Sequence, residues 1–251
     1  MMLNQRRHLS PILTERTMTT NLLPIFCALD TTDAEAAVRL AERVRPYVGG
    51  FKVGYEFFLA NGAAGYGRIA ALGAPIFLDL KLHDIPNTVR GALKALAPLH
   101  PGFLTVHTSG GEAMLRAAVD EAATVGPARP RLLGVTVLTS LDDTDLEAVG
   151  QTPPAAEQVL RLGRLAIKAG CDGLICSAAE VGALRTALGP TPLLVVPGVR
   201  PAGGERGDQK RSLTPAEAIR AGASWLVVGR PITAAADPVD AARRIAEEVR
   251  T

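Results

Sequence analysis

A chain of 251 residues is long enough for one large domain, and its 47% apolar but only 4% aromatic content asks for a core built mostly of Ala, Val, Leu and Ile. A formal net charge of +2, with basic residues dispersed apart from a group at Arg206, Lys210 and Arg211, argues against a nucleic-acid-binding protein. No apolar run approaches the length that spans a bilayer, which argues against a membrane protein.

Residues 1–22 are polar, carry Arg6, Arg7 and Arg16, and lack the continuous apolar segment of a secretory signal. They are read as a disordered tail or a mis-assigned start, since Met18 stands just before the first strand. From residue 23 to 251, short β-type apolar runs alternate with helix-type patterns. The runs are Pro24–Leu29, Gly50–Val53, Pro75–Leu80, Phe103–His107, Leu132–Leu138, Gly173–Cys176, Leu193–Val196 and Trp225–Val228. After the first of them, Asp33–Val48 places Ala37, Leu40, Ala41, Val44 and Val48 on one helical face, with Thr32 and Glu35 as a capping box. Thr214 and Glu217 form a second capping box, and Asp237-Pro238 opens a last helix with Val239, Ala242, Ile245, Ala246 and Val249 on one face. Eight strand–helix units without a linker predict an α/β fold of one domain, a (β/α)8 TIM barrel rather than an open doubly wound sheet. Cys27, Cys171 and Cys176 lie at or near apolar runs without metal-ligand spacing, which fits reduced structural thiols in a cytoplasmic protein.

The third run ends in the densest chemistry of the chain, Phe77-Leu-Asp-Leu-Lys-Leu-His-Asp-Ile-Pro-Asn-Thr-Val89. Residues two apart on a strand share a side, so Asp79 and Lys81 project together while Leu78 and Leu80 face the other way. Asp84 follows in the turn and is within reach of the same spot. Two carboxylates around one ammonium keep the lysine protonated, which suits a lysine that delivers a proton to a carbanion. A lone Asp-x-Lys is usually a solvated surface pair, and Asp84 before Ile85-Pro86 is equally a helix cap. The buried strand in front favours function, because charge at its mouth is costly unless used.

Barrel active sites lie at the carboxyl ends of the strands. Those ends are Asp30, Lys52, Asp79 with Lys81, His107, Thr139 with Ser140, Ser177, Gly198, and Gly229-Arg230. An alternating Lys52–Asp79–Lys81–Asp84 array is expected at the mouth; a structural ion network is the weaker reading. After the seventh and eighth strands, Pro197-Gly-Val-Arg200 and Gly229-Arg-Pro231 have the character of a phosphate site. Between them, Pro201–Arg211 reads as a lid that carries Gln209 onto a ligand.

Together these segments resemble the orotidine 5′-phosphate decarboxylase family in its bacterial form. The resemblance runs from about Pro24 onward. It rests on Ala28-Leu-Asp30, Phe51-Lys-Val-Gly54, the Asp79-x-Lys-x-x-Asp-Ile-Pro-Asn-Thr88 signature, Val135-Thr-Val-Leu-Thr-Ser140, Val196-Pro-Gly-Val-Arg-Pro201, Gly207-Asp-Gln209 and Val228-Gly-Arg-Pro231. It implies conversion of orotidine 5′-monophosphate to uridine 5′-monophosphate in pyrimidine biosynthesis, with neither metal nor organic cofactor. By the same resemblance Lys81 donates the proton to C6, Asp79 lies beside the departing carboxylate, and Lys52 with Asp30 binds ribose hydroxyls and completes the charged array. Thr139 and Ser140 lie over the pyrimidine, and Arg200, Gln209, Gly229 and Arg230 hold the phosphate. Asp84 and Thr88 come from the partner subunit of a homodimer.

Two rivals share parts of this pattern. A keto-gulonate-phosphate decarboxylase or hexulose-phosphate synthase has the Asp-x-Lys-x-x-Asp core but uses magnesium; Ile85-Pro-Asn-Thr88, Leu138-Thr-Ser140 and Gln209 favour the orotidylate enzyme. An inactive nucleotide-sensing barrel is disfavoured by the intact charged residues.

Overall fold

The computed structural model describes residues 22–201 and 213–250. The polar tail up to residue 21, the lid segment with Gln209, and Arg206, Lys210 and Arg211 lie outside the described residues.

Eight parallel strands close on themselves in chain order, β8 pairing with β1. They are β1 (Ile25–Ala28), β2 (Gly50–Gly54), β3 (Ile76–Leu82), β4 (Phe103–His107), β5 (Arg131–Val135), β6 (Gly173–Ile175), β7 (Leu193–Pro197) and β8 (Trp225–Val228). Helices follow the strands outside the barrel: α1 (Ala34–Val44), α2 (Tyr55–Ala70), α3 (Pro86–Leu96), α4 (Gly111–Ala123), α5 (Asp143–Ala148), α6 (Ala155–Ala169), α7 (Val181–Leu188), α8 (Pro215–Arg220), α9 (Arg230–Thr233) and α10 (Pro238–Glu248). The expected barrel is the observed one.

Strands covered on both faces must be apolar on both, which is why they read as continuous runs rather than alternating ones. Alternation then sorts each run into two cores. From β1, Ile25 and Cys27 join the layer under the helices, while Phe26 and Ala28 point inward with Phe77, Phe103, Val135, Ile175, Trp225 and Val227. The helix-facing layer is mostly aliphatic with Phe51, Phe57 and Tyr66 set into it, while four aromatics, Phe26, Phe77, Phe103 and Trp225, meet inside the barrel. Phe26 stacks on Trp225 with centroids 4.3 Å apart and meets Phe103 edge-on at 5.1 Å. Gly50 makes room for them: a Cβ there would stand 2.7 Å from the Phe26 ring.

Local departures from the sequence reading have physical causes. The cap of α1 is Asp33 rather than Thr32, its carboxylate accepting from Ala36 N–H at 3.0 Å, while Glu35 pairs with Arg68 at 2.8 Å. The helix ends at Val44, where Arg45–Tyr47 tightens into a 3-10 turn containing Pro46. The Thr214–Glu217 capping box and the Asp237 cap of α10 are present as expected. The β5 ladder stops at Val135 rather than continuing to Leu138; its last rung is the Thr136 amide donating to Ile175 O, an oxygen that the Thr136 hydroxyl also reaches at 2.9 Å. Beyond it, Val137, Leu138 and Thr139 are outside the sheet and line the cavity at the strand ends.

Candidate active site

The carboxyl ends of the strands enclose an open cavity of about 280 Å³. Its floor is apolar, formed by Ala28, Phe77, Val135, Ile175 and Val227, and its walls carry charge from five strand ends. On one side Lys52, almost wholly buried, donates to Asp30 Oδ1 at 2.6 Å. Gly54 leaves space for this pair: a Cβ there would meet Lys52 Nζ at 2.9 Å and Asp30 Oδ1 at 3.3 Å. Beside it Lys81 Nζ donates to Asp79 Oδ2 at 2.8 Å.

The Asp79–Lys81 pair has a more specialised backbone than alternation on a strand suggests. The register between β3 and β4 shifts between the Leu78–Leu104 and Leu82–Val106 pairings. Within this interval Lys81 takes φ +41°, a left-handed conformation costly to any residue with a Cβ. Its amide donates to Thr105 Oγ1 at 2.8 Å, and that hydroxyl donates to Asp79 Oδ1 at 3.0 Å. Tyr55, the first residue of α2, donates its phenol to Leu80 O at 2.5 Å. Burial, then the neighbouring Asp79 carboxylate, pushes the Tyr55 phenol pKa up.

From β7 and β8, Pro197, Gly198, Arg200, Gly229 and Arg230 line the same cavity. Gly198 turns the chain at φ +78°, which favours glycine. The Arg200 amide donates to Leu213 O at 3.0 Å, drawing the two flanks of the undescribed segment together at the cavity. Leu138 and Thr139 lie along another wall. Asp30, Lys52, Asp79, Lys81, Thr139, Arg200, Gly229 and Arg230 are thus gathered around one space.

Other expected residues lie elsewhere within this single chain. Asp84, Thr88 and Ser140 are exposed and do not line the cavity; Asp84 accepts from Ile85 N–H at 2.6 Å instead of approaching Lys81. The charged residues therefore stand as two lysine–aspartate pairs, with Asp84 apart. Sequence reasoning missed Thr105 and Tyr55. Strand alternation from Phe103 puts residue 105 on the inward face and offered a signal, whereas the Tyr55–Leu80 contact has none. No group of three or more His, Cys, Asp or Glu among the described residues is arranged to hold a metal ion.

A closed parallel barrel with charged strand ends around an apolar-floored cavity defines the chain as a (β/α)8-barrel protein with an enzyme-type site. The model of the orotidine 5′-phosphate decarboxylase / HUMPS family matches residues 24–245, and the chain belongs to that family. Over 230 residues it is 55% identical to orotidine 5′-phosphate decarboxylase of Paramagnetospirillum magneticum, covering 90% of this chain and 98% of that one. The corresponding Sphingopyxis alaskensis protein is 56% identical over 222 residues, 88% of this chain and 97% of the relative. Among solved structures, the crystal structure of orotidine 5′-phosphate decarboxylase from Lactobacillus acidophilus superposes with a TM-score of 0.80 at 41% identity, over 91% of this chain and 99% of that one. The chain is an enzyme of the carboxy-lyase class.

Proposed function

We propose that this enzyme decarboxylates orotidine 5′-monophosphate to uridine 5′-monophosphate, a step of de novo pyrimidine biosynthesis, with Lys81 as the proton donor. The observation that carries the reading is the Lys81 ammonium, held 2.8 Å from Asp79 above an apolar floor and sharing one cavity with Arg200 and Arg230.

In this reading the arginines and the Gly229 backbone hold the phosphate, joined by Gln209 from the lid. Asp30 and Lys52 take the ribose hydroxyls, and Thr139 covers the pyrimidine. The C6 carboxylate then lies beside Asp79. As carbon dioxide leaves, the electron pair of the broken carbon–carbon bond stays on C6 in an in-plane orbital that the ring π system does not delocalise. A fixed ammonium in a water-poor pocket stabilises that charge electrostatically. Lys81 Nζ gives a proton to C6 and is reprotonated from solvent. Neither a metal nor an organic electron sink enters the scheme. Phosphate binding far from C6 contributes to lid closure and to the reacting geometry.

The enzyme is further proposed to act in the cytoplasm as a homodimer, each site receiving Asp84 and Thr88 from the partner subunit. Their exposure in this chain, on either side of Ile85 (66% exposed) and Pro86, supports that assignment. No helix among the described residues is long and apolar enough to cross a membrane.

The test is loss of orotidine 5′-monophosphate ultraviolet absorbance on adding purified protein, with and without a chelator. Turnover unaffected by the chelator is expected. Turnover abolished by the chelator and restored by magnesium would contradict the metal-free scheme, and unchanged absorbance would refute the reading.

A further inference from the structure

A single hydroxyl on the neighbouring strand touches both halves of the Asp79–Lys81 unit. Thr105 is fully buried on β4; its Oγ1 accepts the Lys81 amide N–H at 2.8 Å and donates to Asp79 Oδ1 at 3.0 Å. One accepted and one donated hydrogen bond engage the donor and an acceptor site of a threonine hydroxyl. Both contacts fall where β3 departs from its register with β4 and Lys81 adopts φ +41°. There the Lys81 amide has left the regular ladder, and an interior amide needs another acceptor. Thr105 supplies it, and so stabilises a backbone conformation that a lysine would otherwise leave. The same hydroxyl ties down Asp79 Oδ1, so that Oδ2 is the oxygen turned to Lys81 Nζ at 2.8 Å.

We propose that Thr105 is a positioning residue for the Lys81 ammonium, acting at once on the backbone that Lys81 leaves from and on the carboxylate that receives it. The kinetic consequence rests on the proposed decarboxylation; the structural one does not. Proton delivery to C6 depends on where Nζ stands, whereas phosphate and ribose are held from other strands. Loss of Thr105 should therefore reduce turnover far more than substrate binding.

Thr105→Val keeps the shape and removes both hydrogen bonds; Thr105→Ser keeps both. The valine variant should lose on the order of 10- to 100-fold in kcat with KM changed less than about threefold, and serine should restore most of kcat. An unchanged kcat in the valine variant, or serine and valine variants equally impaired, would overturn the proposal. If the valine variant does not fold, Thr105→Cys, similar in size with a weaker donor, takes its place under the same criteria. A readout independent of turnover is hydrogen exchange of the Lys81 amide. Its exchange should accelerate by about tenfold or more when valine replaces threonine and remain slow with serine; unchanged exchange in the valine variant would overturn the proposal. A wild-type enzyme inert toward orotidine 5′-monophosphate would refute the activity, while the exchange experiment would still decide the role of Thr105.

Discussion

At the scale of single residues, charges with partners stand near buried polar groups without them, His107 Nδ1 among the latter. His107, at the end of β4, has its ring 5.2 Å from that of His83, and its Nδ1 is buried with no hydrogen-bond partner among the described residues. Burial above all, then the charges of His83 and Lys81, outweighs the attraction of Asp79 and lowers its pKa from 6.5 to about 4. Protonation therefore favours the unfolded chain: the stability that neutral His107 contributes is complete above about pH 6.5 and is lost as the pH falls toward 4. Urea midpoints followed from neutral pH down to pH 4 should fall more steeply for the wild type than for His107→Asn. Parallel curves would contradict this assignment. His107 was visible in the sequence as a polar strand end, but its pairing with His83 was not, because that contact depends on how the loop after β3 folds back.

At the scale of elements, the inward face of β2 shows one strand serving two ends. Gly50 faces the aromatic floor and Gly54 the Lys52–Asp30 pair, so the same substitution should have opposite consequences at the two positions. Gly50→Ala would put a Cβ 2.5 Å from Pro75 O and 2.7 Å from the Phe26 ring, and should destabilise the fold by about 1–3 kcal/mol. Gly54→Ala meets the movable end of Lys52 at 2.9 Å, and should spare stability while lowering kcat/KM as the ammonium shifts. Denaturant midpoints and kinetics on both variants check this; normal kcat/KM for Gly54→Ala would count against Lys52 and Asp30 as substrate ligands. The strands were legible because their two-sided burial leaves unbroken apolar runs. The early end of β5 was not, since an apolar run does not show where its pairing with the short β6 stops. For the same reason the sequence pairs Asp79 with Lys81 by alternation, yet hides the register shift and the left-handed Lys81 backbone beneath that pair.

At the scale of the whole molecule, the residues that sequence reasoning assigned to the site divide by location. Asp30, Lys52, Asp79, Lys81, Thr139, Arg200, Gly229 and Arg230 meet around one cavity, whereas Asp84, Thr88 and Ser140 stand on the surface of the chain. Strand ends converge by barrel closure alone, so their meeting was readable from the alternating pattern. In the proposed homodimer, Asp84 and Thr88 reach a site only through a second copy, which no periodicity within one chain specifies. The shared-site proposal predicts complementation between inactive variants. In a two-fold dimer of Lys81→Ala and Asp84→Ala chains, one site carries both lesions and the other neither. Random subunit exchange makes about half the dimers mixed, so roughly a quarter of wild-type activity should return. If Asp84 served its own chain, every mixed site would keep one lesion and no activity would appear.

The central claim, that Lys81 supplies the proton that replaces the departing carboxylate, is tested most directly by proton NMR of orotidine 5′-monophosphate incubated in D2O with wild-type enzyme and with folded Lys81→Ala. Wild-type enzyme should yield uridine 5′-monophosphate deuterated at C6. The variant should still bind the product nucleotide but form none, having lost a transition-state interaction of at least ~3 kcal/mol. Deuterated product formed by Lys81→Ala at a rate near that of the wild type would contradict the account.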